Sequence, residues 1–403
     1  MLLERHDSNS TDNTSNGFRL VWIDQLCIDQ TNNKEKSFQV AMMSEIFSKA
    51  RTVFAWTGVG DETTADALTA LDRFFSVPID LYQPVELGSF TTPKAFESKL
   101  RSASLTVSHW LGLITFLYNS YFKRTWIIQE VCLNSNVVFV VGKDMVPWAK
   151  FSSALSFLVI SRWLHHFHTE VVYTWLTEHT IPKRYRNILS MVTACENSAL
   201  SLYMTKRRML AIDRPDPLMR LLNTHRLCKA TNPADKVYAL LGVSAKDCEP
   251  FTTYPELSIA DYDMPVKAIY TRTTRGLMQS HEDLGLLAHI EARPLYTKIE
   301  GLPSWVPDFS TPLSPAPMSF RTPCWDVGNC VTWKRCSGEL SDSLLEVRGF
   351  CIGSVIQTSL SVVNVQNTSP SQSNLIKDSE ANWTSLCDVA HGLTPYYPIM
   401  SDS

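Results

Sequence analysis

Along the first 160 residues the spacing of apolar positions switches repeatedly between two periods. Residues 1–16 are polar, lack any repeat and are expected to form a disordered leader. Residues 18–24 (FRLVWID) form a short apolar run rich in β-formers that ends on Asp24, which predicts a buried strand over 20–24. From Lys34 to Ala50 the period lengthens. Val40, Met43, Phe47 and Ala50 recur every three to four residues, and Phe38, Met42 and Ile46 widen the same stripe, as on an amphipathic helix. Residues 52–56 predict a second strand, stopped by Gly58 and Gly60, and Asp61 can cap a helix whose apolar positions are Ala65, Leu68, Leu71 and Phe75. Further helices are predicted around 110–118 and over 124–132, then a strand over Val137–Val141, then a helix that Pro147 can open. Alternating strand and helix argues for an α/β layer in which 20–24, 52–56 and 137–141 are neighbours in a parallel sheet.

Beyond residue 160 the pattern is mainly helical, and from about residue 302 prolines, tryptophans and short β-like runs take over. The division expected is a leader at 1–16, an α/β domain at 17–151, a helical region at 152–245, a mixed region at 246–360 and a mostly disordered tail at 361–403. Hydrophobic residues make up 44% of the chain and charged residues 19%, a globular balance. The net charge of −3 comes without a dense basic run, so nothing attracts nucleic acid. No apolar stretch approaches the roughly 20 residues of a membrane span, and the N-terminus lacks the apolar core of an export signal. Ten cysteines without a C-x-x-C pair fit buried thiols in a reducing compartment, so a cytoplasmic location is expected.

Three segments carry a family resemblance. LVWIDQLCIDQ at 20–30 resembles the W-I-D-x-x-C-I-N-Q signature of the fungal heterokaryon incompatibility (HET) domain, with Asp29 in place of Asn. QVAMMSEIFSKA at 39–50 is similar to the helix that follows it in the family, with Phe47 for Tyr. YFKRTWIIQEV at 121–131 is similar to its F-x-R-x-W-x-x-Q-E-V block. Two later blocks, NPADKVYALLG at 232–242 and LPSWVPDFS at 302–310, resemble segments that commonly follow the domain. The resemblance implies a TIR-like or flavodoxin-like parallel sheet with flanking helices. The strand that usually opens the domain, of the form Y-x-A-L-S-Y-x-W-G, has no counterpart here, so the first strand is expected to be missing.

The same resemblance supplies the candidate site. Some TIR domains cleave NAD with a carboxylate on a helix near a Trp, and Trp126 with Glu130 has that form, so Glu130 is the catalytic candidate. The alternative is a structural ion pair with Arg124 or another base. Asp24, Gln30, Arg124 and Trp126 are the ligand-binding candidates, Asp24 because crevices in α/β sheets form at the carboxyl ends of strands. Cys27 is expected to be buried, and Asp235-Lys236 to cap and solvate a helix. Metal binding is not expected: His165, His166 and His168 cannot share a helical face, and Cys324, Cys330 and Cys336 are too widely spaced. The function implied is fungal non-self recognition and regulated cell death signalling, through self-association or a receptor-type protein partner. The alternatives are a TIR-like NAD glycohydrolase, with NAD as substrate and no resident cofactor, or an inactive truncated fragment of a longer HET protein.

Overall fold

The structure is a computed structural model that describes residues 2–5, 20–77, 79–86, 92–167, 182–185, 188, 198–212, 217–244, 251–252, 254–281, 285–290 and 299–311. His168, the three cysteines at 324–336 and the expected tail lie outside the described residues. The fold is mixed α/β with helices predominating.

Five strands form one sheet: β1 (Leu2–Arg5), β2 (Leu20–Trp22), β3 (Thr52–Gly58), β4 (Val137–Val141) and β5 (Asp144–Pro147). Their order is β2-β1-β3-β4-β5. Only β3 and β4 pair in parallel; β1 runs antiparallel to both β2 and β3, and β5 antiparallel to β4. Two expectations are corrected here. The sheet is mixed rather than parallel, and the segment read as the start of a disordered leader contributes a strand. Leu3 stands opposite Trp22 on one side and Val53 on the other, so β1 fills the position between β2 and β3 and keeps those two from being neighbours. A two-leucine run of four residues is too short for periodicity to reveal.

Side chains of β3 and β4 alternate. Val53, Ala55, Val137, Phe139 and Val141 are buried on one face, whereas Trp56 is 53% exposed on the other. The buried face is covered by aromatic packing: Phe139 lies 4.6 Å from Phe151, which stacks on Phe122 at 5.4 Å. Phe151 belongs to α7 (Trp148–Ser161), which Pro147 precedes.

Helix α1 (Asp24–Cys27) is one turn long, so Asp24 opens a helix instead of ending a strand, and Cys27 is exposed rather than buried. Helix α2 (Asn33–Lys49) buries Val40, Met43 and Phe47, the predicted stripe, but Phe38 is 64% exposed. Asn32 caps it by accepting from the Lys34 and Glu35 amides. Helix α3 (Thr64–Phe75) buries Ala67, Ala70, Leu71 and Phe74, a face turned by one residue from the predicted one. The cause is α5 (Val107–Leu117), which follows α4 (Pro93–Ser102): a Cβ on Gly112 would come within 2.6 Å of the Ala67 amide. The backbones therefore meet where Ala67 is, and Phe75 turns to solvent.

After α6 (Ile127–Cys132), α7 and the single turn α8 (Trp163–His166) come α9 (Ser198–Ile212), α10 (Leu218–Thr224), α11 (Asp235–Leu241) and α12 (Val266–His281). Lys206 on α9 inserts its ammonium into the C-terminal end of α6, donating to the carbonyls of Val131 (2.7 Å) and Asn134 (2.6 Å) beneath the Trp148 ring. The 302–310 block docks through Arg226, which donates to the carbonyls of Asp308 (2.6 Å) and Thr311 (2.8 Å). Among the described residues no helix is long and apolar enough to cross a membrane.

Candidate functional site

Residues from five separate segments line one cleft of about 490 Å³. The 24–30 turn contributes Asp24, Ile28 and Gln30, and α2 contributes Lys36, Val40 and Met43. Trp126 stands at the start of α6, and Asn232, Pro233 and Asp235 come from the turn that opens α11. Tyr262 closes the far side.

Local chemistry fixes each wall. The Asp24 carboxylate accepts from the Gln25 amide at 3.0 Å, and the Gln30 side chain donates to the Asp24 carbonyl at 3.3 Å. Asp29, where the family has Asn, accepts from the Thr31 amide and hydroxyl (2.9 and 2.7 Å), and the Thr31 hydroxyl chief among these holds its carboxyl below the usual value. The first turn of α2 clasps the Tyr262 segment: Asn33 donates to Asp263 at 3.0 Å, and the Tyr262 amide donates to Ser37 at 3.1 Å. The Lys36 ammonium lies over the Tyr262 ring, 4.1 Å from its centre.

Asp235 is the hub. Its carboxylate accepts from the Tyr262 hydroxyl at 2.6 Å, and the Trp126 indole lines the same cleft. Burial pushes its pKa up, while the Tyr262 hydroxyl, the Trp126 indole and Lys36 pull the other way. Burial also pushes the Tyr262 phenol far above its usual range. The expectation that Asp235-Lys236 merely caps and solvates its helix is thus corrected. Lys236 is 6% exposed and donates to the carbonyls of Arg226 (2.6 Å) and Cys228, pinning the turn before α11.

Of the residues singled out from sequence, Asp24, Gln30 and Trp126 meet at this cleft and Arg124 and Glu130 do not. Arg124 is exposed. Glu130 is 3% exposed on α6 and accepts from the Tyr121 hydroxyl at 2.9 Å. Burial raises its pKa, and the nearby Arg124 charge lowers it. The Tyr121 phenol, wholly buried against the carboxylate, is pushed well up as well. Sequence reasoning missed Lys36, Asn232, Asp235 and Tyr262 as site residues. The first three lie in segments already singled out, but nothing near Tyr262 signals its part.

The α6 and α11 blocks also lock together behind the cleft. The Gln129 amide donates to the Ala239 carbonyl at 3.0 Å, and a Cβ on Gly242 would come within 2.7 Å of the Gln129 side chain. The terminal Gly of the 232–242 block is therefore the seat for the Gln of the W-x-x-Q-E block.

A cleft with two carboxylates, one ammonium, an indole and a phenol on an apolar floor is built to bind and orient. The profile of the family described as "Heterokaryon incompatibility protein (HET)" matches residues 8–130, the part of the chain that supplies the Asp24–Gln30, α2 and Trp126 walls of the cleft. Across its length the chain is similar to Heterokaryon incompatibility protein 6, OR allele, of Neurospora crassa, at 24% identity over 375 residues. That alignment covers 83% of this chain and 51% of the relative, so the chain spans about half the length of the curated protein it matches. No solved structure matches the chain.

Proposed function

We propose that this chain acts in fungal non-self recognition and regulated cell death signalling, from the cytoplasm, with the Asp24–Trp126–Asp235 cleft as its recognition site. The observation that carries the reading is convergence: four sequence blocks that resemble HET-type segments supply walls of one cleft, which the Tyr262–Asp235 hydrogen bond closes. The similarity to a Neurospora heterokaryon incompatibility protein supports the same role. Either a second copy or a receptor-type protein is the partner we propose. A TIR-like or flavodoxin-like ancestry is supported by the common direction of β2, β3 and β4, with β1 reversed between them. Glu130 we assign to holding Tyr121 and the 120–123 turn against α6.

The test is expression of the full chain and of Trp126→Ala and Asp24→Asn variants in a fungal host, with viability and cellular NAD followed together. Killing by the parent, lost in both variants while circular dichroism stays unchanged, is the expected result. Undiminished killing by the two variants would overturn the cleft's role. A fall in NAD that precedes death and disappears in Glu130→Gln would replace this assignment of Glu130 with a catalytic one.

A further inference from the structure

A second cleft, of about 610 Å³, runs along α12 and shares no lining residue with the first. Lys267, Thr271 and Arg275 follow one another at four-residue intervals, and Ala268, Arg272 and Gly276 form the adjoining row. Helical geometry puts both rows on one side, so three cations reach a single hollow. Among the described residues Glu256 is the one carboxylate on its wall. This local positive excess stands in a chain whose net charge is −3.

The walls fit closely. The 255–258 turn packs so near α12 that a Cβ on Gly276 would lie 2.3 Å from the Leu257 side chain. On the opposite side Gly301 adopts φ +71°, which lets its turn pass beside the Lys267 ammonium, 3.5 Å from where a Cβ would stand. Arg275 is stationed by the Trp305 ring, 5.7 Å from its guanidinium. Arg272 is incompletely satisfied: one terminal nitrogen reaches the Ile259 carbonyl at a long 3.5 Å, and the buried Nε has no hydrogen-bond partner among the described residues. A buried donor left unmatched is unfavourable, so the half-buried guanidinium on the cleft wall gains hydrogen bonds when an oxyanion draws it into the cleft.

We propose that this cleft binds a phosphorylated small molecule, its phosphate held by Lys267, Arg272 and Arg275. A planar guanidinium fork matches the tetrahedral oxyanion two bonds at a time, and the ammonium adds a movable point charge. A lone carboxylate would leave most of that positive charge unanswered. Tyr254, Leu257, Met264 and Pro303 give the rest of the ligand an aromatic and aliphatic wall. Nothing in this assignment depends on the first cleft.

Isothermal titration of the full chain with inorganic pyrophosphate and with ADP tests it, with citrate as a multivalent carboxylate control. Saturable binding of ADP or pyrophosphate, with citrate at least tenfold weaker, is expected. Arg272→Gln should weaken it by roughly ten- to a hundredfold, the size of a lost charged hydrogen bond. Arg272→Lys, which keeps the charge and loses the fork, should fall between, and Arg51→Gln, an exposed cation outside the cleft, should leave the affinity unchanged. No heat and no rise in melting temperature at concentrations on the order of 1 mM would overturn the proposal, as would binding indifferent to Lys267→Gln, Arg272→Gln and Arg275→Gln alike. Sedimentation with phosphatidylcholine vesicles carrying a phosphoinositide separates the two sources of phosphate. Binding there, without binding of soluble ADP or pyrophosphate, would assign the cleft to a lipid headgroup and reject the small-molecule form.

Discussion

Tyr121 and Glu130 share one buried hydrogen bond of 2.9 Å, and each leaves the other in need. Removing the hydroxyl by Tyr121→Phe strands a carboxyl group that is 3% exposed, so we expect a loss of about 1–3 kcal/mol in urea-unfolding free energy. Glu130→Gln keeps an acceptor for the same hydroxyl and should lose less than half as much. Equal losses would show that the bond contributes little. The carboxylate was legible in the sequence as part of a W-x-x-Q-E pattern, but its burial was not. Helical spacing puts Glu130 below Trp126, whereas Tyr121 approaches from the separate 120–123 turn, a contact that no periodicity encodes. His225 offers a pH reading at the same scale. Burial above all, then the charges of Arg208 and Lys236, lower its pKa to about 3 from 6.5, so it is neutral in the fold and bonded to Thr205 at 3.0 Å. Acidification protonates the unfolded chain first. Stability is therefore intact above pH 6.5 and should fall by about 2 kcal/mol between there and pH 5, a slope that His225→Gln should flatten in chemical denaturation at both pH values.

Between elements, the tightest test is the seat of Gln129 on α11. Gly242 has φ −69°, which any residue adopts, so its glycine is needed for space and not for backbone conformation. Gly242→Ala should lower stability by about 1–3 kcal/mol, as overpacking does. Combined with Gln129→Ala it should cost distinctly less than the two single changes added, a coupling that a double-mutant cycle in urea measures. Additivity within error would separate the two blocks. Both blocks were visible in the sequence as family-like strings, yet their mutual contact was not. Likewise α3 was predicted as a helix with its face misplaced by one residue, because Gly112 on another element decides which of its ridges is approached. Period identifies an element; the neighbour decides its azimuth.

At the scale of the molecule, β1 joins β2 to β3 through pairing on both its sides. Removing residues 1–5 would leave two facing rows of backbone donors and acceptors without partners, so the truncated chain should melt several degrees lower and elute as soluble aggregate in size-exclusion chromatography. An unchanged melting temperature would show that β1 adds nothing to the sheet. The strand and helix alternation of the first 160 residues gave the α/β class from sequence, while strand direction and order depended on four residues with no repeat to read. The cleft was half legible for a related reason: Asp24, Gln30 and Trp126 lie in dense motif strings, and Tyr262 arrives from a segment more than a hundred residues further on.

Lys206 and Lys236 each hold chain segments together from inside, and burial lowers both pKa values to about 8 from 10.5. At pH 8 such amines are far richer in the uncharged, nucleophilic form than an ordinary lysine, yet at 1% and 6% exposure no acylating reagent can reach them. Exposed Lys143 has no such shield. Under N-hydroxysuccinimide acetate, Lys143 should be acylated at once, whereas Lys206 and Lys236 should react only when α9 lifts from α6 or the 226–236 turn comes apart. Their acylation is irreversible, so the modified molecules would accumulate as a permanent record of every opening.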